Sequence, residues 1–181
     1  MQAPEYYTNL NLEAMLSGIE STADVGGVWI DILKFYFSPL AYRLNPESVM
    51  AGGIKTDRLL LKRETHTGPR VQRWPVFVLE YKYAKPNEEH PTEAQWEKSK
   101  EQLKEYLMKL QNLPDIVSAA IAVNTYIRLY EYGTATKEIT TVKLKVWDSG
   151  IVKIDLDLVG DRVAVAGNLQ QILLKGDSLG G

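Results

Sequence analysis

Apolar residues recur three and four positions apart in NLEAMLSGIE, residues 11–20, where Leu12, Met15, Leu16 and Ile19 form one stripe. That spacing predicts a short amphipathic helix opening the fold, with Asn11 as its N-cap. VGGVWIDILKFYF, residues 25–37, is apolar nearly throughout; it reads as a second helix ended by Ser38-Pro39, or as a strand given its branched and aromatic content. Past the Gly52-Gly53 turn, the alternation around Asp57 predicts a half-exposed strand, THTGPR a turn, and WPVFVLEYKY a second strand antiparallel to the first. Beyond Lys85-Pro86 the period lengthens again. Thr92 and Gln95 have the spacing of a capping box, and Trp96, Leu103, Leu107 and Leu110 mark the inner stripe of a long helix reaching about Asn112.

Leu113-Pro114 ends that helix, and IVSAAIAVNTYIRLYEYG follows as one long strand or a bent pair. Residues 140–167 predict two or three further strands, jointed at Asp148-Ser149-Gly150 and at Val159-Gly160-Asp161. NLQQILLKG predicts a closing helix, and DSLGG a disordered end. The expected product is one α/β domain over residues 1–181: a core over about 11–133 and a sheet extension over about 138–175.

Composition narrows the chemistry. With no cysteine, disulfides and thiolate zinc sites are impossible, and His66 and His90 lie apart in polar stretches that read as solvated loops. Any metal would need oxygen ligands. No stretch approaches the length of a membrane span and the first residues do not read as a signal peptide, so an intracellular protein, cytoplasmic or nuclear, is expected. The net charge of −2 argues against a dedicated nucleic-acid coat, yet residues 51–110 carry 12 Lys and Arg against 9 Asp and Glu.

Within VFVLEYKY, Glu80 and Lys82 project from one face of the strand and Tyr81 and Tyr83 from the other. The pair is either a surface ion pair or part of a site. Asp57 caps the turn before it or joins Glu80 and Lys82 at one edge of the hairpin. If two carboxylates converge there they repel unless a cation lies between them, and Mg²⁺ suits such a shell. A water on that ion, held by the Lys82 ammonium, is a nucleophile fit for phosphodiester cleavage. Gln102 and Tyr106 stand at i and i+4 on one helix face, either beside such a site or as a half-buried pair. FYFSPLAY, residues 35–42, is core or a stacking surface for unpaired bases.

Asp57, then Glu80-Tyr81-Lys82 after 22 intervening residues, then Gln102-Leu-Lys-Glu-Tyr106 resembles the PD-(D/E)XK nuclease superfamily, in its RecB-like branch. The resemblance covers about residues 11–133. It implies a restriction-endonuclease-like core of helix, antiparallel hairpin in a mixed sheet, long helix and strand, with additional C-terminal strands. It further implies Mg²⁺ or Mn²⁺ held by Asp57, Glu80 and the Tyr81 carbonyl, with Lys82 positioning water and Gln102 and Tyr106 contacting substrate or orienting the catalytic groups. Nucleic acid, DNA or RNA, would be the substrate, with a homodimer or protein partner supplying affinity. The chain departs from the pattern at Thr56, which stands where the motif has proline, and its first-helix acid is open among Glu13, Glu20 and Asp31. A fold does not fix activity, so a catalytically inactive interaction or assembly module is the alternative.

Overall fold

The computed structural model describes residues 10–51, 54–67, 70–84, 91–142, 144–146, 149–151, 154–155 and 159–178. Two helices come first, α1 (Leu10–Ser17) and α2 (Thr22–Tyr36). Asn11 lies inside α1 rather than ahead of it. Ser21 caps α2, its Oγ accepting from the Asp24 amide at 3.3 Å. The apolar run at 25–37 is thereby settled as a helix, and it stops at Phe37 just before Ser38-Pro39. Its stripe of Val25, Val28, Trp29, Ile32 and Leu33 is buried.

An antiparallel meander follows: β1 (Tyr42–Ala51), β2 (Ile54–Thr67) and β3 (Arg70–Lys82). The strand β1 is absent from the sequence-based expectation because Pro46 interrupts its pattern. Proline is tolerated there because, among the described residues, β1 pairs with β2 alone and so forms a sheet edge. α3 (Glu93–Leu107) then crosses over to β4 (Ile116–Val123), which runs parallel to β3. The capping box forms as expected, Thr92 Oγ1 accepting from Gln95 N and Gln95 Oε1 from Thr92 N. The helix ends at Leu107, short of Asn112, which has positive φ. The expected long strand is a pair, β4 and β5 (Tyr126–Gly133), turning through Asn124 at φ 52°. β6 (Glu138–Thr141) and β9 (Ile154–Asp155) both pair with β5, while β7 (Leu144–Val146) and β8 (Ser149–Ile151) form a separate ribbon.

The last element, α4 (Val159–Ser178), corrects the reading of residues 159–167 as a joint and a strand. Val165, Ala166, Leu169 and Ile172 are buried at helical spacing, which outweighs the local alternation of DRVAVAG. DSLGG is likewise corrected in part, since Asp177 lies in α4 and accepts a 2.8 Å hydrogen bond from the Tyr42 hydroxyl. Gly52-Gly53, Lys85-Pro86, His90 and Asp148 lie outside the described residues.

The sheet, ordered β1-β2-β3-β4-β5-β6, separates two apolar layers. One face, with Leu59, Leu61, Phe77 and Leu79, packs on α2 and α4; the other, with Leu60, Val78, Ala119 and Ile121, packs on α3. Half of FYFSPLAY belongs to the first layer, Phe37 and Tyr42 being buried with ring centroids 5.2 Å apart, although Phe35 remains half exposed and Leu40 is exposed. A Cβ added at Gly26 of α2 would stand 2.6 Å from Tyr81 Cε2, so the glycine is where the tyrosine ring meets the helix. Helix propensity alone favours Gly→Ala by about 1 kcal/mol. Overpacking against a ring held between helix and sheet costs about 1–3 kcal/mol and wins. Gly26→Ala is therefore expected to lower the urea midpoint, and Gly26→Ala with Tyr81→Leu to recover part of the loss.

Candidate functional site

Strand pairing decides which side chains can meet. Directly opposed residues share a face, and Arg58, not Asp57, stands opposite Glu80. Asp57 is opposite Tyr81, on the α2 side, where its charge contributes to raising the tyrosine pKa after the larger effect of burial. The cause is a one-residue irregularity between Leu61 and Lys62: Lys62 pairs with Pro75 but Leu61 with Phe77, leaving Val76 as the extra residue of a β-bulge. Carried inward without the bulge, the outer register would have set Asp57 against Glu80. The expectation that these two carboxylates share an ion is thus corrected by the register, which places them on opposite faces.

Four of the expected residues do converge on the α3 face. Glu80 is completely buried, and its Oε2 accepts from Arg58 Nε at 3.0 Å and Nη2 at 2.8 Å. The Lys82 ammonium lies 2.9 Å from Glu80 Oε1 as an ion pair, but it directs hydrogen bonds to Ser99 Oγ at 2.8 Å and Gln102 Oε1 at 2.6 Å. Glu80 Oε1 is therefore held by charge rather than by a well-directed hydrogen bond. Tyr106 is buried, with the Arg58 guanidinium 4.6 Å from its ring centroid. From one helix face Gln102 thus meets Lys82 and Tyr106 meets Arg58, while Leu103 and Leu107 pack beside them.

Arg58 and Ser99 were not foreseen. Arg58 immediately follows Asp57, so its role hangs on the register alone; Ser99 precedes Gln102 by three residues and shares its helical face, a spacing that could have found it. A similar clamp stands one element over, where Arg128 of β5 pairs with Glu93 and lies 4.6 Å from the Trp96 ring centroid.

The residues do not fit a shared Mg²⁺. Glu80 has both oxygens engaged by cationic side chains, Asp57 is across the sheet, and the Tyr81 backbone lies between two paired strands. Glu20 and Asp31 are exposed and belong to the α2 side of the sheet; the Glu13 side chain lies outside the described residues. Among the described residues no group of three His, Asp or Glu side chains is placed to hold a metal. What this arrangement can do is neutralise a buried carboxylate and tie α3 to β2 and β3 by charge-assisted hydrogen bonds.

No helix among the described residues is long and apolar enough to cross a membrane. No family model matches the chain, and no curated protein matches it. A solved structure described as that of the sex pheromone staph-cAM373 precursor is similar at a TM-score of 0.40 and 11% identity, over 78% of this chain and 56% of that one. The chain thus spans little more than half the length of that protein.

Proposed function

We propose that the chain is a non-catalytic interaction or assembly module built on a restriction-endonuclease-like core. The succession of helix, antiparallel strands, crossover helix and parallel strand supports the fold part of the reading. The observation that carries the functional part is Arg58 facing Glu80. Hydrolysis of this class requires carboxylate oxygens open to a metal and its water, and a guanidinium at 2.8 Å occupies that role here. Lys82, Ser99, Gln102 and Tyr106 then act as a positioning frame for α3, leaving the module's outer surfaces for partners.

The test combines thermal unfolding with and without millimolar Mg²⁺ or Mn²⁺ and cleavage assays on DNA and RNA. A ligand that binds only the folded state raises the melting temperature. The expected result is an unchanged melting temperature and no cleavage above that of Lys82→Ala. Cation-dependent stabilisation, together with cleavage that EDTA stops and Lys82→Ala removes, would restore the nuclease reading.

A further inference from the structure

We propose that Arg43 and Arg73, held in place by the Glu64 carboxylate between them, form a two-pronged docking site for an acidic segment of a partner protein. This rests on the interaction-module reading and names the partner's chemistry. The site lies where the sheet gives way to an arm. Among the described residues β1 pairs with β2 as far as Arg63, and β3 meets β4 from Phe77 onward, so residues 64–67 and 70–73 continue as a two-stranded ribbon.

Register sets Arg43 opposite Lys62, and Glu64, two residues further along the same face, opposite Arg73. Glu64 Oε2 accepts from Arg43 Nε at 3.0 Å and its Oε1 from Arg73 Nε at 2.6 Å. The Glu64 side chain is only 6% exposed, whereas those of Arg43 and Arg73 are 62% and 58% exposed. The two arginines, rather than depth in the fold, shield the carboxylate. They also hold its pKa below the ordinary glutamate value, Arg73 most strongly, so it stays charged near neutrality.

Each guanidinium donates to Glu64 through its Nε, and a guanidinium held at that atom can still offer its two Nη groups as a fork to a second carboxylate. Fixing two long side chains before a partner arrives removes much of the entropy that binding otherwise costs. The local charge is favourable as well. Residues 62–73 carry four Lys and Arg and one Glu, while the rest of the chain carries 17 Lys and Arg and 22 Asp and Glu. A long polyanion lying across the body meets that acidic remainder, whereas a short acidic peptide touches the arm alone. The charge distribution therefore favours the peptide over nucleic acid.

The experiment uses the whole protein and a fluorescein-labelled hexa-aspartate peptide, followed by anisotropy at low salt. Binding is expected, weakened about tenfold by Arg73→Ala and by Arg43→Ala, with melting temperatures near that of the parent. Glu64→Gln separates a clamp from a general positive field. Removing a negative charge tightens binding if only the field matters, but weakens it if Glu64 orients the two forks. Should that variant fold poorly, Arg73→Lys serves instead, since it keeps the charge, loses the fork and is expected to weaken binding. No binding by the parent protein, equal binding by the alanine variants, or tighter binding by Glu64→Gln would each overturn the proposal. Preference for a uridine oligonucleotide over the peptide would overturn its choice of partner. Metal-dependent cleavage with the clamp intact would instead overturn the module reading and leave the peptide site standing.

Discussion

Glu80→Gln is expected to lower the stability of the fold by about 3–5 kcal/mol, the usual result of removing one member of a buried ion pair. At roughly 2–4 °C per kcal/mol for a chain of this size, the melting temperature falls by on the order of 10 °C. The reason lies in what is left behind. The Arg58 side chain is 5% exposed, and with a neutral amide opposite it would remain charged, largely desolvated and without a counter-ion. Replacing Arg58 and Glu80 together with Met and Leu is expected to recover most of the loss, because the pair's mutual attraction and its desolvation cost disappear together. Asp57→Asn, on the other face, is expected to cost clearly less than Glu80→Gln. Chemical denaturation of the three variants decides the matter. A Glu80→Gln protein within about 0.5 kcal/mol of the parent would mean that the network does not hold the structure together.

Trp96→Ala is the second large effect, with an expected loss of about 3–5 kcal/mol. Trp96 is fully buried at the inner face of α3, among the apolar residues that join the helix to β3, β4 and β5. Its ring also lies against Arg128, so truncation opens a cavity and takes away the surface that the guanidinium covers. Trp96→Phe keeps most of the volume and is expected to lose less than half as much. Urea unfolding followed through the remaining tryptophans measures both. A midpoint unmoved by Trp96→Ala would show that α3 is anchored by its charges alone.

Sequence legibility followed the range of the interaction that fixed each feature. Glu80 with Lys82, and Gln102 with Tyr106, were readable as pairs because a strand repeats every two residues and a helix face every three or four. Spacing alone left open whether the two pairs meet, because Gln102 and Tyr106 could equally have been a half-buried pair; their meeting was only what the family resemblance implied. Asp57 was not readable, because it and Arg58 are neighbours and only the Val76 bulge decides which of them stands opposite Glu80. One extra residue in one strand exchanges an acid for a base at that position. The edge strand β1 was hidden by Pro46, and the start of α4 by a short Val–Ala alternation that fits either period. The docking arginines were hidden for another reason: Arg43, Glu64 and Arg73 belong to three different strands, and no local spacing relates them.

The parallel pairing of β3 with β4 sets the order in which the chain acquires its structure. Phe77 meets Ser118 only after the intervening segment has closed on itself, and for a loop of about 40 residues that closure costs about 3 kcal/mol in chain entropy. The meander of β1, β2 and β3 and the hairpin of β4 and β5 need no such closure, so each assembles from neighbouring segments first. Their union is then expected to be the slow step. Arg58 and Glu80 find one another within the early meander, while Ser99 and Gln102 arrive only when α3 docks. Substitutions at Gln102 are therefore expected to act chiefly on the rate of unfolding, and those in the β2–β3 pairing on the rate of folding, as stopped-flow refolding and unfolding would measure.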